Sequence, residues 1–102
     1  MIKSELIQLI AAKMNHLSEK SVEDGINRIL ATMTQALEKG QRIEIRGFGT
    51  FAVHHKPARA AHNPKTGEKT VVSSKYKVHF KPGLDLKRRV MASQQTVAID
   101  TD

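Results

Sequence analysis

The stretch that decides the fold is Arg42-Ile43-Glu44-Ile45-Arg46-Gly47-Phe48-Gly49-Thr50-Phe51-Ala52-Val53. Its first five residues alternate strictly, so in an extended chain Ile43 and Ile45 face a core while Arg42, Glu44 and Arg46 face outward. Gly47-Phe48-Gly49 interrupts that strand and predicts a sharp turn or bulge between two aromatic-bearing strands. Thr50 to Val53 resumes the two-residue period with Phe51 and Val53 inward.

Upstream the period is that of a helix. Leu6, Ile7, Ile10 and Met14 recur at three- and four-residue spacing and predict a first helix over about 4–14. Ser4 is its expected N-cap, and Glu5 suits the positive end of the helix dipole. Asn15-His16-Leu17 reads as a connection. Ser18 then caps a longer helix over about 19–39, with Val22, Ile26, Ile29, Leu30, Met33 and Leu37 as its apolar stripe. Gly40 stands where a left-handed stop is wanted. Gly25 costs about 1 kcal/mol relative to Ala inside a helix, and a close helix crossing would account for it.

Downstream the core signal fades from His54 to Lys75, a segment carrying His54, His55, Lys56, Arg59, His62, Lys65, Lys69 and Lys75. Asn63-Pro64-Lys65-Thr66-Gly67 is a strong turn signal flanked by polar, strand-compatible sequence. A hairpin with no apolar face has no core of its own, so residues 54–75 are expected to project as an arm. Tyr76, Val78 and Phe80 return the chain to the body, Pro82-Gly83 ends that strand, and a short basic helix follows from Leu84 to about Met91. The expected fold class is α+β: one domain over 1–91 with a protruding β-ribbon arm, and a polar tail over 92–102. The body, without the arm, has roughly 70 residues, a size that buries only about 60% of its unfolded surface. The apolar stripe and three Phe are large for it, and an intertwined dimer with a short antiparallel sheet is the natural remedy.

Composition narrows the chemistry. The chain has 102 residues and no Cys, which excludes disulfides, thiolate metal sites and Cys nucleophiles. Its longest uncharged run, Val90 to Ile99, falls far short of the roughly 20 apolar residues of a membrane helix. The N-terminus lacks the pattern of a signal peptide, so a soluble, cytoplasmic protein is expected. The net charge is +7, and it is segregated. Residues 1–40 balance, whereas residues 41–90 hold twelve Lys/Arg against Glu44, Glu68 and Asp85. A neutral scaffold joined to a basic half points to a polyanion, with nucleic acid foremost.

Pro64 is the most specific single feature. It suits a plain turn; at the tip of a basic arm it also suits a wedge, because an apolar ring without an N–H can enter a base step from the minor groove and kink the duplex. Ten extended residues from His54 to Asn63 span roughly 33 Å, ample for a groove about 7.5 Å deep. Arg42, Glu44 and Arg46 form either a self-paired solvated face or, beside such an arm, phosphate and groove contacts with Glu44 orienting a guanidinium. The histidines do not read as a metal site, because His54 and His55 point to opposite faces of a strand and few carboxylates are near. No nucleophile–base–carboxylate grouping or phosphate-binding glycine loop is visible, so neither enzyme chemistry nor a cofactor is expected.

At Arg46-Gly-Phe-Gly-Thr-Phe51, Arg59-x-x-x-Asn63-Pro64-Lys65-Thr66-Gly67 and Phe80-Lys-Pro-Gly83 the sequence resembles the bacterial histone-like HU/integration host factor family. The likeness runs from Ile2 to about Val90. Lys3-Ser-Glu-Leu-Ile7, Val22-Glu-Asp24 and Arg42 to Gly49 look most like its integration host factor β branch. The resemblance implies a helical, intertwined dimer body with two β-ribbon arms that lie in the minor groove of double-stranded DNA, each tip proline intercalating to bend it. Carried onto matching positions, Pro64 is the wedge and Arg46 a groove contact supported by Glu44. Lys56, Arg59, His62, Asn63, Lys65, Lys69 and Lys75 become arm contacts. Lys3, Ser4, Arg42, Gly47 and Lys81 become body contacts, with the N-termini of the first and last helices clamping flanking phosphates. His62 stands where an arginine is typical, Ala60-Ala61 replaces a commoner polar-glycine pair, and Ile2 displaces a usual capping Thr or Asn.

The function so implied is architectural: DNA bending in support of recombination, replication, transcription and nucleoid organisation in a bacterial cytoplasm. The second subunit is an integration host factor α-like chain or another copy of this one, the latter making a nonspecific HU-like packer. A basic RNA-binding module is the remoter alternative, disfavoured because the arm has no aromatic stacking platform before Tyr76. A pure dimerisation module is the other.

Overall fold

The computed structural model describes residues 1–100. Two helices, α1 (Lys3–Lys13) and α2 (Glu19–Glu38), precede five strands. These are β1 (Ile43–Ile45), β2 (Gly49–Lys56), β3 (Arg59–His62), β4 (Lys69–Val72) and β5 (Lys75–Pro82), and helix α3 (Leu84–Ser93) closes the order. The α+β class follows the change of hydrophobic period after Gly40.

Ser18 caps α2 as its position requires, accepting a hydrogen bond from the Ser21 N–H at 3.0 Å. At the far end Gly40 has φ +74°, with its N–H on the Leu37 carbonyl and the Gln41 N–H on that of Ala36. That pair of bonds is a Schellman stop. The cap of α1 differs from expectation. Ile2, extended at φ −101°, is the N-cap and gives no side-chain hydrogen bond, while Ser4 lies inside the first turn. Gly25 also needs another reason than a crossing within this chain, because a Cβ there would meet nothing within 4 Å. Helix α3 continues to Ser93, two residues into the stretch expected to be tail.

The Gly47 interruption is a turn. The Phe48 N–H bonds the Ile45 carbonyl at 3.0 Å, and Gly47 takes φ +83°, the left-handed conformation glycine adopts without a Cβ penalty. Beyond it β2 pairs antiparallel with β1 and β5 in a three-stranded sheet of order β1-β2-β5. Phe51 sits opposite Phe80 with ring centroids 4.7 Å apart, and Phe48 joins them at 5.4 Å from Phe80. Gly49 is buried beneath the Phe80 ring, where a Cβ would fall 2.6 Å from its nearest carbon.

Little of this apolar surface is covered. Among the described residues the buried hydrophobics are Ile7 on α1 and Val22 on α2. Ile45, expected to face a core, is exposed, as are Tyr76 and Val78, expected to return the chain to the body. Ile45 sits at the sheet edge, and Tyr76 lies out on the ribbon against His55. The chain exposes 9103 Å², against about 5,800 Å² for a compact monomer of this mass. Its radius of gyration is 19.3 Å, against about 13 Å for a compact chain of this length.

Candidate nucleic-acid interface

Strand alternation sorts the β2/β5 ribbon into two faces. Directly paired residues share a face, so Ile43, Phe51 and Phe80 line one side with Val53 and Val78. The other side carries Glu44, Thr50 and Lys81 in one row, then Ala52 with His79, His54 with Lys77, and Lys56 with Lys75. One side is apolar, the other basic. Lys77 and His79 belong to the basic side, and the alternation Lys75, Lys77, His79, Lys81 carries that signal in the sequence.

The arm begins inside this sheet, because β2 runs on to Lys56 and β5 starts at Lys75. Past Pro57-Ala58 and Ser73-Ser74 a second, two-stranded ribbon follows, with Arg59 opposite Val72 and His62 opposite Lys69. The register is unbroken across the gap, so no residue is inserted; two rungs are missing where Pro57 has no N–H to donate. A proline between two strand segments is a direct sequence signal of such a break.

The tip is a closed turn. Asn63 donates its N–H to the Glu68 carbonyl at 2.9 Å, and its own carbonyl accepts from the Gly67 N–H at 2.7 Å. Its side-chain oxygen accepts from the Lys65 N–H at 2.9 Å, an Asx turn that fixes Pro64 at the apex. Gly67 supplies the positive φ of +71°. Pro64, Lys65 and His62 are all exposed. Lys56, Arg59, Lys69 and Lys75 are exposed along the two ribbons behind them.

On the body, Arg42 and Arg46 flank β1, since the strand stops at Ile45 and Arg46 lies in the turn. Glu44 pairs with Arg42, at 2.8 Å, and so does not support Arg46 as expected. Gly47 occupies the same turn, which is tied to the start of α3 by the Gly83 N–H on the Phe48 carbonyl at 2.8 Å. Lys3 and Ser4 open α1. Neither α1 nor α3 has a side-chain cap, unlike α2, which leaves their first N–H groups to an external acceptor. The Lys20 ammonium, on the first turn of α2, is held above its usual pKa by its hydrogen bond to Asp24.

Among the described residues no group of three His or carboxylate side chains could hold a metal ion, and no helix is long and apolar enough to cross a membrane.

Comparison with known proteins gives one consistent answer. The profile of the family described as bacterial DNA-binding protein matches residues 1–91. The chain is 53% identical over 94 residues to integration host factor subunit beta of Halorhodospira halophila, covering 92% of each chain. It is 55% identical to the protein of that name from Colwellia psychrerythraea, covering 91% of this chain and 98% of that one. Among solved structures, the Anabaena HU–DNA cocrystal structure superposes with a TM-score of 0.78 at 29% identity, over 88% of this chain and 97% of that one. HU from Thermotoga maritima gives 0.61 at 32% identity, over 88% and 98%.

Proposed function

The chain belongs to the bacterial DNA-binding protein family, and from that membership we propose an architectural role in which two such β-arms grip duplex DNA along its minor groove and bend it. The work is mechanical, and no residue is assigned a catalytic part. The observation that carries the reading is the arm itself: a basic ribbon ending in a hydrogen-bonded turn with an exposed proline at its apex.

In this reading Lys56, Arg59, His62, Asn63, Lys65, Lys69 and Lys75 follow the groove, and Pro64 inserts into a base step. Unstacking that step costs a few kcal/mol and is offset by the extra contacts a folded duplex makes with the protein. Arg42, Arg46, Gly47 and Lys81 meet the duplex where it approaches the body, with Glu44 orienting Arg42. Lys3, Ser4 and the uncapped starts of α1 and α3 take the flanking phosphates, as helix N-termini favour anions. Residues 1–91 act as one DNA-bending domain.

The body needs a second subunit to cover its apolar side. Exposed Ile29, Leu30, Phe48 and Val78 are what that subunit would bury. Since the named relatives are β subunits, an integration host factor α-type chain is the partner proposed. The setting is the bacterial nucleoid, hence the cytoplasm. Sedimentation of the purified chain with and without an α-type chain, coupled to end-to-end energy transfer on a labelled duplex, tests this. A folded dimer that brings the duplex ends together supports the reading. A stably folded monomer, or a preference for single-stranded RNA, overturns it.

A further inference from the structure

We propose that His54 and His79, with Lys77, form a phosphodiester-binding site at the foot of the arm whose hold on duplex DNA strengthens as the pair takes up a proton. The proposal rests on the DNA-binding reading above and adds a site outside the tip and the body contacts already assigned.

His54 on β2 and His79 on β5 lie diagonally on the basic face, with ring centroids 4.7 Å apart and planes only 14° from parallel. Ala52 stands opposite His79, and both histidines are exposed. Lys77 stands directly opposite His54. The next row towards the tip on that face is Lys56 with Lys75, and the next towards the body is Thr50 with Lys81. The carboxylate on this face is Glu44, in the row of Thr50, and it is engaged with Arg42 at 2.8 Å. His55 and Tyr76 lie on the opposite face.

Among the described residues, ammonium groups border the two imidazoles on this face, Lys56 on β2 and Lys75, Lys77 and Lys81 on β5, and its carboxylate Glu44 is already paired. Placing positive charge on both rings sets them against each other and against Lys77, a repulsion that an anion laid across the stack relieves. A phosphodiester is such an anion, and the duplex must pass this point if the arm lies along its groove. A charged imidazole also offers two N–H donors instead of one, and its hydrogen bonds to phosphate are charge-assisted. An anion that favours the charged pair therefore links docking to proton uptake.

The test is calorimetry of the full chain, with its second subunit where one co-purifies, binding a duplex in buffers of different ionisation enthalpy at pH 8 and pH 6. The parent is expected to take up a proton on binding and to tighten about tenfold between the two pH values, within what one linked proton allows. In His54→Gln/His79→Gln most of that uptake and the tightening should vanish, while affinity at pH 8 falls only about twofold. Lys77→Gln should weaken binding at both pH values and keep the profile. As a check independent of binding heats, the His54 and His79 ring resonances should move towards their charged positions when duplex is added at constant pH. Parental proton uptake in the double variant, or ring resonances that ignore DNA, overturns the site. A parent that binds no duplex at all overturns the function proposed above instead.

Discussion

The body end and the arm end of the hairpin that β2 and β5 open share one register, yet they depend on different things. At the body end the rungs are Phe51 with Phe80 and Val53 with Val78; at the arm end they are Lys56 with Lys75 and, past the Pro57 gap, His62 with Lys69. The body end has apolar surface in excess of what one chain can cover, with Leu30 46% and Phe48 45% exposed. The arm end has almost none to bury, and its charge is uncompensated. Backbone pairing is common to both, so the side chains alone decide what completes each end: a second subunit for the body, a polyanion for the arm.

Salt separates the two ends most strongly. If the arm and body cations neutralise about six phosphates, raising salt from 50 to 200 mM should weaken duplex binding roughly 10³-fold. The fold of the body, held by apolar contacts, should be almost unmoved. A binding isotherm and a thermal melt at each salt concentration check both halves, and a nearly salt-independent affinity would break the distinction.

Phe80→Ala probes the other end. It removes the ring that touches both Phe48 and Phe51, and should cost about 3 kcal/mol of stability, the low end for such a truncation because the site is only partly covered within one chain. Denaturant midpoints should fall and become more dependent on protein concentration.

Ser18→Ala, at the start of α2, should cost about 1 kcal/mol through loss of the helix cap, with DNA affinity per folded molecule unchanged. Chemical denaturation and titration on one preparation would show it.

The smallest effect expected is at the tip. His62 faces Lys69 across β3 and β4, and phosphates should favour its charged form. His62→Arg should therefore reduce the gain in affinity between pH 8 and pH 6 by about twofold. Identical profiles for parent and variant would remove His62 from the account.

Much of this was legible in the sequence. The α2 boundaries follow from Ser18 and Gly40, whose chemistry is local. The strands follow from period-two alternation, and the arm from the loss of apolar residues after Val53. What was less legible depended on tertiary placement. Ile45 and Tyr76 alternate correctly, but alternation fixes a face without saying whether anything covers it. Ser4 has the right side chain for a cap, yet the helix begins one residue earlier, at Lys3. Glu44 could reach either neighbouring arginine in sequence, and the turn at Gly47 leaves Arg42 as its partner on the strand face. The His54–His79 stack needed the register of β2 against β5, which separates the two residues by 25 positions along the chain.

The central claim is that the arm tip bends DNA by wedging Pro64 into a base step, and Pro64→Ala on an end-labelled duplex tests it most directly. The arm cations remain in that variant, so affinity for linear duplex should fall only modestly. Energy transfer between the duplex ends should drop sharply. A nicked or mismatched duplex, which needs less unstacking energy, should recover part of the bend. If Pro64→Ala brings the ends of an intact duplex as close as the parent does, Pro64 is a turn residue and the wedge is wrong.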